Sequence, residues 1–262
     1  MTDAARFLFI ILLGFASGFA SGAFGVGGGI ITTPAIRLLL SQPSGIALGT
    51  PLPVIFPSAL VGGFNYWRAG KVDPRVFLHC SLFGLAGTAA GSFATSIIDT
   101  RYLMIVTALL IFYLVYRTIS TAMGKDPYGL LEEGSAQTPA PIWKLALIGI
   151  SAGFFSGLLG LGGGVILVPA FFFILHMEVK KCLGNSLVII AFLSIPGTII
   201  HASLGHVDWG IALGMTIGVM PGAYAGSFFT LRSRNRRVLL LFSFLLVAIG
   251  IIFLFKEIQG LL

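Results

Sequence analysis

Apolar residues fill most of this chain in long runs, broken by glycines, prolines and short charged clusters. Five runs occupy the first half, at about 6–24, 27–40, 45–66, 72–97 and 101–122. Five more occupy the second, at 142–160, 162–176, 182–203, 207–231 and 237–258. No polar stripe recurs along them at helical spacing, so every face must be acceptable to lipid or to a neighbouring helix. The pattern predicts an all-α integral membrane protein. The one substantial polar stretch, 123–141, separates a first unit, 1–122, from a second, 142–262.

The units are related at a fixed offset of 135 residues. Residues 14–36 read GFASGFASGAFGVGGGIITTPAI and 149–171 read GISAGFFSGLLGLGGGVILVPAF, with 12 of 23 positions identical. The register holds without a gap to Thr95 and Thr230, with 28 identities in 82 positions, including Gly49 with Gly184 and the Gly70–Asp73 turn with Gly205–Asp208. Shared hydrophobicity would not keep glycines, a proline and an aspartate in step, so the halves are duplicates. The repeat also decides the status of residues 4–24. Arg6, an apolar run and small residues resemble a secretory leader, but the same pattern returns in mid-chain, where no leader stands.

Basic residues set the orientation. The turn at 67–75 carries Arg68, Lys71 and Arg75, and its counterpart at 203–209 carries no Lys or Arg. The turn at 231–237 carries four arginines, and its counterpart at 96–102 only Arg101, beside Asp99. Lys180 and Lys181 are likewise matched by Gly45 and Ile46. Equivalent turns thus alternate in charge and are expected on opposite faces, which makes the repeats inverted, with the central linker cytoplasmic and both termini outside. Inversion requires an odd number of crossings per half: five if the short second runs span, three if the first pair of each half is a re-entrant hairpin.

Composition narrows the function. Of 262 residues, 56% are apolar and 10% charged, against about 25% charged in soluble domains. The net charge of +7 therefore reports on loops, and nucleic-acid binding is excluded. Cys80 and Cys182 lie in apolar segments and read as small buried hydrophobes. The four histidines have no metal-ligand spacing, and no cofactor is implied. No cluster of His, Asp or Glu pairs with a nucleophile, so an enzyme is not expected.

The glycine clusters carry the candidate chemistry. Gly27, Gly28, Gly29 and Gly162, Gly163, Gly164 open a short run in each half, with Pro34 or Pro169 five residues after the last glycine. They lack the endings of nucleotide loops. Glycine in lipid serves either close helix packing, for which Gly14, Gly18 and Gly22 have the spacing, or an unwound stretch that opens a half-helix. Three consecutive glycines, each about 1 kcal/mol worse than alanine in a helix, favour the second. Such a helix start offers free N–H groups and a partial positive charge, which selects an anion. All nine acidic residues fall at segment ends or in loops, whereas cation carriers keep carboxylates inside the membrane.

Other residues are weaker candidates. Thr50, in Gly49-Thr50-Pro51-Leu52, and Asn185 and Ser186, in the matching Gly184-Asn185-Ser186-Leu187, could line the same cavity or serve as helix-to-helix hydrogen bonds. Pro51, Pro53, Pro57 and Pro196 suggest local unwinding. Ser21 and Ser156, matched in the repeat, are expected to bond back to their own helices. His201 lies within an apolar run and could couple transport to protons, although a structural role is the simpler reading. Arg37 is expected to snorkel to the interface.

The paired G-x-G-G-G-x-x-x-x-P segments, each preceded by S-G-x-x-G and followed by Gly49-Thr50-Pro51-Leu52 or Gly184-Asn185-Ser186-Leu187, resemble the sulfite exporter TauE/SafE family over about residues 7–258. The resemblance implies export of sulfite or a small organosulfur anion such as sulfoacetate across a bacterial inner membrane. Pro51 stands where the family usually has serine. Read with the residues, it points to an alternating-access secondary transporter for a small anion. The alternatives are an anion channel and a proton- or sodium-coupled carboxylate importer. Lipid is the only other partner implied, and a homodimer is compatible with the sequence.

Overall fold

A computed structural model of the protein describes residues 3–100 and 140–233, with a few positions between 102 and 109 and Phe244. The linker 123–139, most of run 101–122 and nearly all of run 237–258 lie outside the described residues. All regular structure among the described residues is helical.

In the first half α1 (Asp3–Phe24) leads to α2 (Gly29–Pro34), whose end widens into a π turn over Ala35–Leu39. Then come α3 (Ser44–Gly49), α4 (Pro51–Arg68) and α5 (Pro74–Ala94). The second half repeats the order in α6 (Ile142–Leu159), α7 (Gly164–Phe173), α8 (Val179–Ser203) and α9 (Trp209–Arg232). Among the described residues six segments are long and apolar enough to cross a bilayer, α3 and α4 forming one of 25 residues, Ser44–Arg68. Gly29–Leu39 and Gly164–Phe173 are shorter. At about 1.5 Å per residue each reaches about half the ~30 Å hydrocarbon layer.

The matched turns follow from their residues. Gly70 and Gly205 adopt φ of 68° and 71°, a conformation open to glycine at no steric cost. Asp73 and Asp208 then cap α5 and α9, accepting from Arg75 and Val76 N–H and from Ile211 N–H. The prolines behave otherwise than expected. Pro57 and Pro196 lie inside continuous helices, and the only interruption near Pro51 is Thr50, itself at helical angles. Pro51 occupies the first position of α4, where no N–H is needed.

Glycines set the packing. A Cβ on Gly14, Gly18 or Gly22 of α1 would collide with the carbonyls of Met215, Val219 and Ala223 on α9. At the offset of 135, a Cβ on Gly149, Gly153 or Gly157 of α6 would collide with those of Cys80, Gly84 and Thr88 on α5. Both pairs run parallel, since contact positions rise together. Between α4 and α8 they run opposed, Leu52 meeting Gly197, Gly62 meeting Leu187, and Tyr66 meeting Gly184. The rising pairs Gly84 with Leu193 and Thr88 with Gly197 make α5 parallel to α8. Short turns at 69–73 and 204–208 reverse the chain. Hence α1 and α4 run one way and α5 the other, while α6 and α8 run with α5, and α9 with α1. Because α1 and α3 start at the same end of the bundle, residues 25–43 must return the chain to where α1 began.

Backbone-to-backbone contact leaves these seams no slack. Gly18→Leu or Gly153→Leu is expected to lower stability by about 1–3 kcal/mol, read as a lower unfolding temperature in detergent, whereas Gly70→Leu, with open space around its Cβ position, is expected to cost only the strain of its positive φ.

Candidate functional site

The glycine clusters break the chain between α1 and α2 and between α6 and α7. Gly25, Gly27 and Gly28 have φ of 68°, 77° and 78°, and Gly160, Gly162 and Gly163 have 64°, 81° and 76°. Six left-handed residues in two loops explain the composition, since side chains bearing a Cβ rarely adopt that region. The N–H groups of Gly27, Gly28 and Gly29, and of Gly162, Gly163 and Gly164, make no backbone hydrogen bond among the described residues. Neither short helix has an acidic residue in its first turn, so the positive ends of their dipoles are uncompensated by side chains.

The two loops touch. A Cβ on Gly29 would stand 2.7 Å from the backbone of Leu161, and one on Gly164 2.6 Å from Gly25 O and the Val26 Cα. Both also reach Ile55 and Ile190, repeat equivalents, against which Cβ atoms on Gly27 and Gly162 would crowd. Each isoleucine is the twelfth residue of its 25-residue span, Ser44–Arg68 or Val179–Ser203. The loops therefore meet near mid-span. They are buried, so in this conformation the meeting point is closed to both sides.

Ser186 joins this centre, its hydroxyl donating to Gly25 O at 2.7 Å. Thr33 donates to Gly160 O at 3.5 Å. In the first loop Ser17 and Thr32 both lie on Gly28 O, at 3.1 and 3.0 Å, and 2.5 Å from each other. Ser21 and Ser156 do not bond back to their helices. Both are fully buried, and neither hydroxyl has a partner among the described residues.

Thr50 and Asn185 serve elsewhere. Thr50 Oγ1 accepts from the Asp208 N–H at 3.0 Å, and Asn185 Oδ1 from the Asp73 N–H at 3.0 Å. These pairs are repeat images of one another, each tying a helix of one half to a turn of the other. His201 is buried on α8, its Nε2 2.8 Å from Gly157 O. A carbonyl only accepts, so Nε2 carries the proton. The equivalent position holds Tyr66, whose hydroxyl donates to Gly22 O, the equivalent carbonyl, at 3.1 Å. The histidine thus repeats a tyrosine's structural bond. Its Nδ1 and that of His206 are buried without partners among the described residues, the rings 5.5 Å apart.

Two features were not anticipated. Lys71 pairs with Glu178, its Nζ 3.1 and 3.2 Å from the carboxylate oxygens, a contact across 107 residues that no local pattern announces. The Tyr66–His201 equivalence could have been found from the offset alone. Arg37, expected at the interface, donates from Nη1 to Gln42 O at 3.0 Å. By the helix directions, Arg68, Lys71, Arg75, Lys180, Lys181 and Arg232 gather at one end of the bundle, the end at which α4 and α9 finish and α5 and α8 begin.

The sequence profile described as sulfite exporter TauE/SafE matches residues 10–253. The chain is 27% identical over 226 residues to a probable membrane transporter protein, YdhB, of Bacillus subtilis, covering 85% of this chain and 90% of that one. It is 24% identical over 261 residues to YunE of the same organism, likewise a probable membrane transporter protein, covering 93% and 96%. A probable membrane transporter protein of Xylella fastidiosa is 27% identical over 246 residues, covering 92% of each chain. No solved structure matches.

Gly163→Ala is expected to strain the second loop, since φ is 76° and the new Cβ would stand 2.8 Å from Ala152 O; a loss of about 1–3 kcal/mol should appear as a lower unfolding temperature, where Ala152→Gly should not restore it. Burial holds the His206 imidazole, in the turn after α8, below its ordinary 6.5. Its neutral form is the folded one, so its contribution is intact above about pH 6.5 and is lost as pH falls from there toward the depressed folded value. Unfolding temperatures measured from pH 7.5 to 5 should drop, and His206→Gln should flatten part of that drop.

Proposed function

Because the chain belongs to the sulfite exporter TauE/SafE family, we propose that this multi-pass membrane transporter exports a small oxyanion, sulfite or a small organosulfur anion, by alternating access. The observation that carries the reading is the meeting of two glycine loops at mid-span, each opening a half-helix with free N–H donors. Neutral donors and two helix dipoles suit an anion held away from water. Among the described residues the one buried charged side chain is Glu178, and it is paired with Lys71 at the bundle's basic end. Gly27, Gly28, Gly29, Gly162, Gly163, Gly164 and Ser186 form the binding centre, and Thr50 and Asn185 hold the turns that close over it.

In this reading the units 1–122 and 142–262 rock against each other about the seams, joined by 123–141. The basic end faces the cytoplasm and places the linker there, with the termini outside the bacterial inner membrane. Export of an anion runs down the membrane potential, about 2.3 kcal/mol per charge per 100 mV, and needs no coupling ion. A rival, proton-coupled uptake through His201, draws on the unpartnered Nδ1 atoms of His201 and His206. The equivalence with Tyr66 favours a structural histidine.

Sulfite release from proteoliposomes is expected to accelerate when the side holding sulfite is made negative by about 100 mV, and to fall with Gly163→Ala. Release indifferent to potential would rule out charge-carrying export, and uptake driven by acidification that disappears in His201→Asn would establish the rival. Conductance far above carrier turnover would mark a channel.

A further inference from the structure

Six residues among those described carry a buried side-chain oxygen or nitrogen without a partner besides His206, and they are unevenly placed in the repeat. Ser58 is matched by Leu193. Ser81 is orphaned while its equivalent Thr216 bonds to Ala212 O at 2.8 Å. Ser92 is orphaned while its equivalent Ser227 bonds to Ala223 O at 2.8 Å. His201 is matched by Tyr66. Ser21 and Ser156 alone are the same residue, fully buried and unpartnered in both halves. A serine inside a helix satisfies its hydroxyl most simply by bonding to the carbonyl one turn back, and a buried hydroxyl left without a partner destabilises the fold. Packing gives no reason to bear that cost twice at one repeat position.

Their position supplies a reason. The Ser21 Cβ lies 3.4 Å from where a Cβ on Gly28 would stand, and the Ser156 Cβ lies 3.2 Å from the corresponding point on Gly163. Each serine is therefore packed by its Cβ against its half's left-handed glycine, next to the loop whose N–H groups make no backbone hydrogen bond among the described residues. In the first half the neighbouring hydroxyls of Ser17 and Thr32 are already committed to Gly28 O. In the second, Ala152 and Leu167 occupy those positions. The serine is thus the one side-chain donor that both loops have in common.

We propose that Ser21 and Ser156 are ligand-binding residues, each donating its hydroxyl hydrogen to an oxygen of the carried anion beside the glycine loop of its own half. The inference rests on the reading of those loops as the anion site. A donor set divided between a helix wall and a loop matches an anion whose negative charge is spread over separate oxygens, as in sulfite, sulfonates and small carboxylates. A single-atom halide meets such a set poorly.

The test measures binding and fold stability together, on the full-length protein in detergent with sulfite, methanesulfonate, acetate and chloride as probes. Ser21→Ala and Ser156→Ala are each expected to weaken sulfite binding by about tenfold or more, while unfolding temperature without anion stays equal or rises, because an unpaired buried hydroxyl is gone. Ser21→Cys and Ser156→Cys, which keep the shape with a weaker donor, should fall between alanine and the parent. Unchanged sulfite binding in the alanine variants overturns the proposal. So does a lower unfolding temperature without anion, which marks the hydroxyls as structural, or equal serine dependence for chloride, which overturns the oxyanion class. A parent protein that binds none of the anions defeats the glycine-loop reading itself and removes the ground for this one.

Discussion

Breaking a helix inside a membrane frees polar backbone groups where no water can satisfy them, and the architecture is arranged around that single difficulty. The breaks at Gly25–Gly28 and Gly160–Gly163 are tolerable because protein covers them on all sides. Ile55 and Ile190 press on the loops, the loops press on each other, and Ser186 takes up the Gly25 carbonyl. Cover that close requires α1 and α6 to lie directly against α9 and α5, and the seams Gly14–Gly22 and Gly149–Gly157 achieve it by backbone contact. The packing glycines and the loop glycines, separate motifs in the sequence, serve one physical requirement.

Much of this was legible beforehand because lipid imposes strong rules on sequence. Helix boundaries from apolar runs agree with the structure to within a few residues, as 182–203 against Val179–Ser203 and 207–231 against Trp209–Arg232 illustrate. The offset of 135 located the loops, the caps and the seams, since each is a backbone feature tied to glycine, proline or aspartate. Side-chain partners were not legible. Thr50 and Asn185 stand next to each other in the repeat alignment and look like a cavity lining, yet each bonds to a turn of the other half. The proline readings failed as well: Pro57 and Pro196 are half-buried inside helices that continue through them, and a proline in a sequence does not show whether its helix continues.

Duplication also exposes what diverged. Tyr66 and His201 make one bond with two chemistries, which shows that the position demands a buried ring with a donor at its far edge and little else. Ser17 and Thr32 crowd Gly28 O in the first loop, and Ala152 and Leu167 stand at those positions in the second, so the two loops are held by different bonds.

The cross-repeat clasps have a consequence for the two ends of the molecule. Asn185 and Thr50 close them with the same hydrogen bond, but at the first end Lys71 and Glu178 add an ion pair, and at the second the equivalent residues are His206 and Pro43. Matched in geometry, the ends are unmatched in charge. Dissolved salt screens the ion pair at one closure and finds none to screen at the other, so a duplicated molecule still has a front and a back.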